Sequence, residues 1–511
     1  MRLVQDLLEQ SARRTPEKVA LVFERQRWTY AEIEAKANQL ARALRDLGVT
    51  RGDRVALFLP NSPELALGIF GVLKADAVFV VINSTTKPDK LARLVENCEA
   101  AAVVTRARDA SLAAGLVEHV PSLRCGLLAG QGAAEAAAAY DDLIALDAVW
   151  AEYPDSPPPR RAIDQDLACL IYTSGSTGDS KGVMSSHRNV VFAASSIIQY
   201  VGNVPDDVVI NALPLSFDYG LYQLLMTFKF GGTLVLEKSF AYGAHFLKRM
   251  EEEKVTGLPG VPTMFAILLQ MDLGAFDLGA LRYVTNTAAA LPVRHIRAIR
   301  RAFPCAKLIS MYGLTETKRT LYLPPEQLDK RPHSVGMAIP GTEVWLEDEE
   351  GRPLGAGEVG ELVIRGGHVM RGYWRAPEAT AERFRPGPLP GETVCYSGDL
   401  FRMDEEGYYE FVSRKDDVIK CRGEKVSPKE VEGVIYDLPG VVEVAVVGVP
   451  DPILGQAVKA LVVRNGDAPT DRDVLAHCRA HLEDYMTPKF VEIVDSLPKT
   501  TSGKIARTAL C

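Results

Sequence analysis

At 511 residues the chain exceeds what one hydrophobic core organises, so two or more domains are expected. Its 47% hydrophobic and 24% charged residues are ordinary for a globular protein, and a formal net charge of −8 argues against nucleic acid as the main partner. Eight cysteines without a C-x-x-C pair point to packed, reduced thiols, no apolar run reaches transmembrane length, and residues 1–13 are too charged for a signal peptide, so a cytoplasmic protein is expected.

Near the N-terminus, Ile33, Ala37, Leu40, Ala41, Leu44 and Leu47 recur at helical spacing. Thr29 suits the N-cap and Glu32 completes a capping box. Residues 54–59 read as a short buried strand and 63–74 as a second helix. Such alternation predicts parallel sheets flanked by helices. The alanine-rich stretch 130–140 is weakly patterned. The run 156–161 contains three consecutive prolines and reads as an extended, exposed connection.

That connection leads to the most informative stretch, Tyr172-Thr173-Ser174-Gly175-Ser176-Thr177-Gly178-Asp179-Ser180-Lys181-Gly182. Three glycines, five Ser/Thr hydroxyls and a lysine in eleven residues suit a loop that cradles polyphosphate. The spacing is not that of a Walker loop. Apolar runs at 167–171 and 190–194 flank it, which argues against a flexible linker.

After residue 340 the texture changes. Short strand-like runs occupy 343–347, 360–365 and 407–412. A helix at 429–436, strands at 441–449 and 457–463, and a helix at 472–482 then predict a small α+β domain. Further candidate segments are Tyr312-Gly313-Leu314-Thr315-Glu316, Tyr396-Ser397-Gly398-Asp399-Leu400, the charged run 414–417, and Leu497-Pro498-Lys499-Thr500-Thr501-Ser502-Gly503-Lys504-Ile505.

Taken in this order, the motifs resemble the acyl-adenylate-forming superfamily of acyl-CoA synthetases, luciferases and peptide-synthetase adenylation domains. The resemblance covers nearly the whole chain. It implies an α/β fold: a large N-terminal domain of parallel-rich sheets with a β-rich subdomain (1–415), and a small mobile α+β C-terminal domain (416–511). It implies ATP and Mg2+. Thr173, Ser174, Gly175, Ser176, Thr177, Gly178 and Lys181 would hold phosphates, with Thr177 and Lys181 acting in catalysis. Tyr312 would stack on adenine beside Gly313, Asn286, Thr287 and Ala288, with Thr315 near phosphate. Asp399 would hold the ribose hydroxyls, Arg414 would reach the nucleotide, and Glu316 would hold the metal. Asp416 matches the hinge and Gly423 the loop that faces a pantetheine arm. Lys504 matches the lysine that bridges the acid and the α-phosphate.

The acid is read from Phe217, Asp218, Tyr219, Tyr222 and Gly336. Amino-acid-activating relatives carry Phe-Asp where many CoA ligases carry histidine. A lone carboxylate in an apolar stretch needs a partner, and a substrate ammonium would supply one. Asp218 as a plain helix N-cap is the competing reading. The expected reaction is therefore activation of an amino or imino acid and delivery to the phosphopantetheine of a carrier protein. An acyl- or aryl-CoA ligase using coenzyme A is the alternative, and a luciferase-like oxidase or a silent nucleotide-binding protein are more distant ones. The glycine-free segment 285–292 departs from the family pattern and leaves the substrate subgroup open. It also looks like bacterial ligases linked to surface-polymer export or secondary metabolism. A monomer or homodimer is expected.

Overall fold

A computed structural model describes residues 2–174, 180–287, 291–415, 417–421, 424–451, 454–499, 505–507 and 510. Among these residues the strands form three sheets.

The first sheet follows the order Leu143–Ala145, Cys125–Ala129, Ala100–Arg106, Arg54–Phe58, Val78–Val81, Leu167–Ser174, Ser180–Ser186. All neighbours are parallel except the last pair, which is a hairpin. The helix Tyr30–Asp46 starts at Thr29 with the capping box formed in full, and Pro63–Lys74 starts at a Ser62 cap. The alanine-rich stretch yields only the short helix Ala133–Ala137. The proline run stays irregular but is tied down, because Arg42 donates to Ser156 O and Arg160 pairs with Asp6 and Glu9.

The second sheet is long and changes character along its length. Its parallel part runs through Val19–Phe23, Thr233–Leu236, Val208–Asn211, Gly257–Gly260, Tyr283–Asn286 and Lys307–Tyr312. From Leu321–Leu323 onward it is antiparallel, through Ser334–Ala338, Tyr409–Arg414, Thr393–Met403, Val359–Gly366 and Thr342–Glu347. This is the β-rich subdomain. One apolar core joins the first sheet to the parallel part of the second, with Phe70 stacked on Phe228 at 5.3 Å.

The third sheet, Glu424–Val426, Ile419–Cys421, Gly455–Arg464, Val441–Asp451 and Phe490–Ile493, carries helices Pro428–Tyr436 and Asp471–His481 and has its own core. Among the described residues, side-chain hydrogen bonds tie it to the rest of the chain. Ser427 Oγ donates to Val412 O at 2.6 Å, and Lys429 Nζ to Phe411 O at 2.9 Å. On the other side Arg294 donates to Val441 O at 2.8 Å and to Tyr436 O and Val442 O at 3.3 Å each. Its guanidinium also covers the Tyr436 ring at 5.0 Å. Among the described residues no helix is long and apolar enough to cross a membrane. The described cysteines are free, and all but Cys305 are buried.

The N-terminal segment is fastened by His187, the first residue of helix His187–Val201. Its Nδ1 accepts from Val4 N at 3.1 Å, which requires a neutral ring. Burial pushes its pKa down to about 4; Asp166, Asp6 and Asp76 pull it up and Arg160 pushes it further down. The folded value lies below the ordinary one, so the unfolded chain takes up the proton first as pH falls. This contribution is fully present above pH 6.5 and is lost between 6.5 and about 4, at most about 3 kcal/mol. His295, pushed to about 4, and His368, pushed to about 3, add to the same fall. His187→Gln keeps an acceptor for Val4 N. Its urea midpoint is expected to fall less steeply between pH 6.5 and 4 than that of the native protein; parallel profiles would show that His187 does not titrate with unfolding.

Candidate active site

The phosphate-type stretch closes a hairpin. Strands Leu167–Ser174 and Ser180–Ser186 run antiparallel, with Thr173 opposite Lys181 and Ser174 opposite Ser180. Gly175, Ser176, Thr177 and Gly178 lie outside the described residues. The outer edge of the hairpin is laced to the segment 371–374. Trp374 N donates to Gly182 O at 2.7 Å, Met184 N to Gly372 O at 2.9 Å and Arg371 N to Met184 O at 3.0 Å. This places Tyr373 between two predicted site residues. Its hydroxyl donates to Glu316 Oε1 at 2.5 Å, and Lys181 Nζ stands 5.5 Å from its ring centroid. Burial, then the Glu316 charge, push the Tyr373 phenol far up, so it stays a donor. Arg383 is half-buried, which works against its charge, yet Glu316 and Tyr373 hold it charged.

The predicted nucleotide motif is a tight loop between Lys307–Tyr312 and Leu321–Leu323. Thr320 N donates back to Tyr312 O at 2.9 Å. Gly313 is required there: a Cβ would stand 1.7 Å from Lys318 O. Tyr312 OH donates to Asp399 Oδ2 at 2.6 Å. Asp399 sits opposite Arg414 across two strands, and their charged groups are 3.7 Å apart. Tyr312, Asp399 and Arg414 therefore meet at one place. Asn286 and Thr287 are buried at the end of strand Tyr283–Asn286; Ala288 lies outside the described residues. Thr315 offers its carbonyl to Lys318 Nζ at 3.0 Å.

The acid-reading residues flank helix Asp218–Phe230. The turn before it is fixed by Asn61, which donates to Leu213 O and accepts from Leu215 N, both at 3.0 Å. Phe217 is the N-cap residue and makes no side-chain cap bond. Asp218 falls in the first helical turn, so it is not the N-cap, although a carboxylate there suits the helix dipole. It already has a partner: Arg319 Nη1 lies 3.4 Å from its Oδ2. The same guanidinium lies 4.6 Å from the centroid of Tyr219 and 6.0 Å from that of Tyr222. Tyr219 OH donates to Thr285 O at 2.8 Å and accepts from Gly260 N at 3.2 Å. Gly336 is explained by packing, because at φ +96° a Cβ would stand 1.8 Å from Tyr322 O.

Asp416, Gly423 and Lys504 lie outside the described residues, and only their flanks are placed. Lys415 N donates to Gly398 O at 2.9 Å, and Lys415 Nζ to Glu361 Oε2 at 3.1 Å. Lys499 bridges Ile505, and Arg507 Nη2 donates to Glu432 Oε1 at 2.5 Å, so the ends of the 500–504 stretch rest on the small domain. His477 and His481 lie ring to ring at 4.2 Å, yet His477 spends Nε2 on Val434 O. Among the described residues no group of three metal-ligating side chains exists. Sequence reasoning missed Lys318, Arg319, Tyr373 and Arg383. The charged pair Lys318-Arg319, one residue beyond the Tyr312–Glu316 motif, was a visible signal for the first two; Tyr373 and Arg383 carry none.

Family comparison agrees with this geometry. The family model "AMP-binding enzyme" matches residues 8–374, and "AMP-binding enzyme C-terminal domain" matches 430–504. A feruloyl-CoA synthase of Amycolatopsis sp is 36% identical over 97% of this chain and 96% of its own length. A linear gramicidin synthase polypeptide of Brevibacillus parabrevis is 31% identical over 99% of this chain, which spans 6% of that protein. The crystal structure of ATP-bound MatB from Rhodopseudomonas palustris superposes with a TM-score of 0.89 at 30% identity, covering 99% of this chain and 98% of that one. The chain belongs to the AMP-binding enzyme family and is an AMP-forming acid–thiol ligase.

Proposed function

We propose that this ligase converts a carboxylic acid lacking an α-ammonium into its acyl-AMP and passes the acyl group to the thiol of coenzyme A. One observation carries this reading: the Asp218 carboxylate is already offset by Arg319, so it does not await a substrate cation. A second reading keeps some support. The Asp218 side chain is 22% exposed and could turn to an ammonium, which would suit an amino or imino acid delivered to a carrier protein. A cytoplasmic location fits either reading.

In this proposal a carboxylate oxygen of the acid attacks the α-phosphorus of ATP and pyrophosphate leaves. Lys181, Thr173, Thr177 and the loop glycines hold the phosphates. Tyr312 faces the adenine, and Asp399 accepts from the ribose hydroxyls with Arg414 beside it. Glu316 is a single buried carboxylate beside the phosphate hairpin, which fits Mg2+, an ion that takes few protein ligands. When bound, Mg2+ supplies positive charge to the phosphate oxygens. The Tyr373 hydroxyl orients the Glu316 carboxylate by its hydrogen bond to Oε1. Lys504 adds charge where acid and α-phosphate, both anionic, must meet. The small domain, from about residue 416, then turns about Asp416, withdrawing Lys504 and presenting Gly423 to the pantetheine arm.

The test is pyrophosphate release over a panel of acids and their α-amino analogues, with thioester followed separately. The desamino acid is expected to win, and Asp218→Ala is expected to change the ratio of kcat/KM values less than threefold. A native preference for the amino acid that collapses more than about a hundredfold in Asp218→Ala, the cost of a stranded charge, would instead establish the amino-acid reading.

Lys504→Ala is expected to slow adenylate formation by on the order of a hundredfold, as for loss of one transition-state donor. Thioester formation from preformed acyl-AMP is expected to stay within a few-fold of native. Equal losses in both half-reactions would contradict the assigned roles.

A further inference from the structure

Lys318 and Arg319, consecutive and each only 1% exposed, are the least expected residues of the pocket. Buried cations are normally paired and fully hydrogen-bonded. These are not. The Arg319–Asp218 distance of 3.4 Å is long for a charge-assisted bond. Arg319 Nε and Nη2 are buried with no hydrogen-bond partner among the described residues. Tyr222 OH and Ser216 Oγ are likewise unpartnered among them.

Among the described residues Arg319 has one carboxylate within ion-pair distance, Asp218, and that contact leaves Nε and Nη2 to be matched. The reacting carboxylate of the acid must meet the nucleotide beside Lys181, so it does not serve as that match. Beside Arg319 the space is small: a cavity of about 10 Å3, lined by Arg319, by the polar Asn203, Gln223, Thr227, Tyr283 and Thr285 and by apolar side chains, admits one water and no alkyl chain.

Resting on the acyl-CoA ligase reading, we propose that Arg319 is the specificity-determining residue of the acid pocket and that the substrate is a short acid carrying a second carboxylate, which Nε and Nη2 of Arg319 grip in bidentate fashion. The second carboxylate stays ionised and is not adenylated. Acids with a long unbranched chain are excluded by the closed floor and leave those N–H groups unmatched.

The experiment compares dicarboxylates from malonate to adipate with monoacids of equal length, read as acid-dependent pyrophosphate release without thiol. Native enzyme is expected to favour the best diacid over its monoacid by more than a hundredfold in kcat/KM. Arg319→Leu should erase that preference, mainly through KM, and Arg319→Lys should restore part of it. Folding of each variant is checked by its thermal shift with ATP. Should Arg319→Leu fail to fold, Asp218→Asn decides: release of Arg319 from this anionic partner should raise the diacid preference. An equal loss for both acids in that variant would show that Arg319 serves Asp218 alone. A native preference for monoacids unmoved by Arg319→Leu, or no turnover of any diacid, overturns the proposal. Thioester formation from those monoacids would leave the acyl-CoA ligase reading standing, whereas turnover of amino acids alone would remove both.

Discussion

The site depends on strand Ser180–Ser186 being claimed from both sides. On one edge it pairs with Leu167–Ser174 and thereby ends the first sheet. On the other it is bonded by the segment 371–374, which belongs to the β-rich subdomain. A strand left open would expose a row of unpaired backbone groups. Satisfying them with 371–374 puts Tyr373 under Lys181 and against Glu316, although these residues lie far apart in sequence. The lysine of the hairpin, the carboxylate of the Tyr312 loop and the subdomain are thus fixed relative to one another by backbone bonds, not by loop packing.

Much of this was legible from local pattern. The Thr29 capping box, the helix from Pro63 and the elements of the small domain follow from periodicity and cap chemistry, which act over a few residues. The contact of Tyr312 with Asp399, 87 residues away, follows from strand pairing that no local pattern shows; only the family resemblance put these residues and Arg414 around one nucleotide. The hairpin partner of the phosphate stretch was not foreseen, because Ser180-Lys181-Gly182 has no strand-like alternation; tertiary pairing supplies what propensity lacks. Asp218 illustrates the same limit. Its need for a partner could be reasoned from its apolar neighbours, but the partner itself is 101 residues away and invisible to any local rule.

That pairing also changes what the Phe217-Asp218 signature means. A carboxylate facing an empty apolar pocket selects a cation. The same carboxylate beside a buried guanidinium with spare N–H groups belongs to a wall that offers hydrogen-bond donors. Directly after Asp218, the ring of Tyr219 is locked by Thr285 and Gly260 and lies against the Arg319 guanidinium, so this wall is rigid.

The clasp made by Arg294 has a consequence of a different kind. Its acceptors on the small domain are backbone carbonyls of Tyr436, Val441 and Val442. Carbonyls survive almost any substitution, so replacing Val441 or Val442 leaves them in place. This face of the contact therefore depends on the residue at position 294 and hardly on those at 441 and 442. The other contact works the opposite way: there the small domain supplies the side chains, Ser427 and Lys429, and the large domain the carbonyls, so it is sensitive to substitution on the small-domain side.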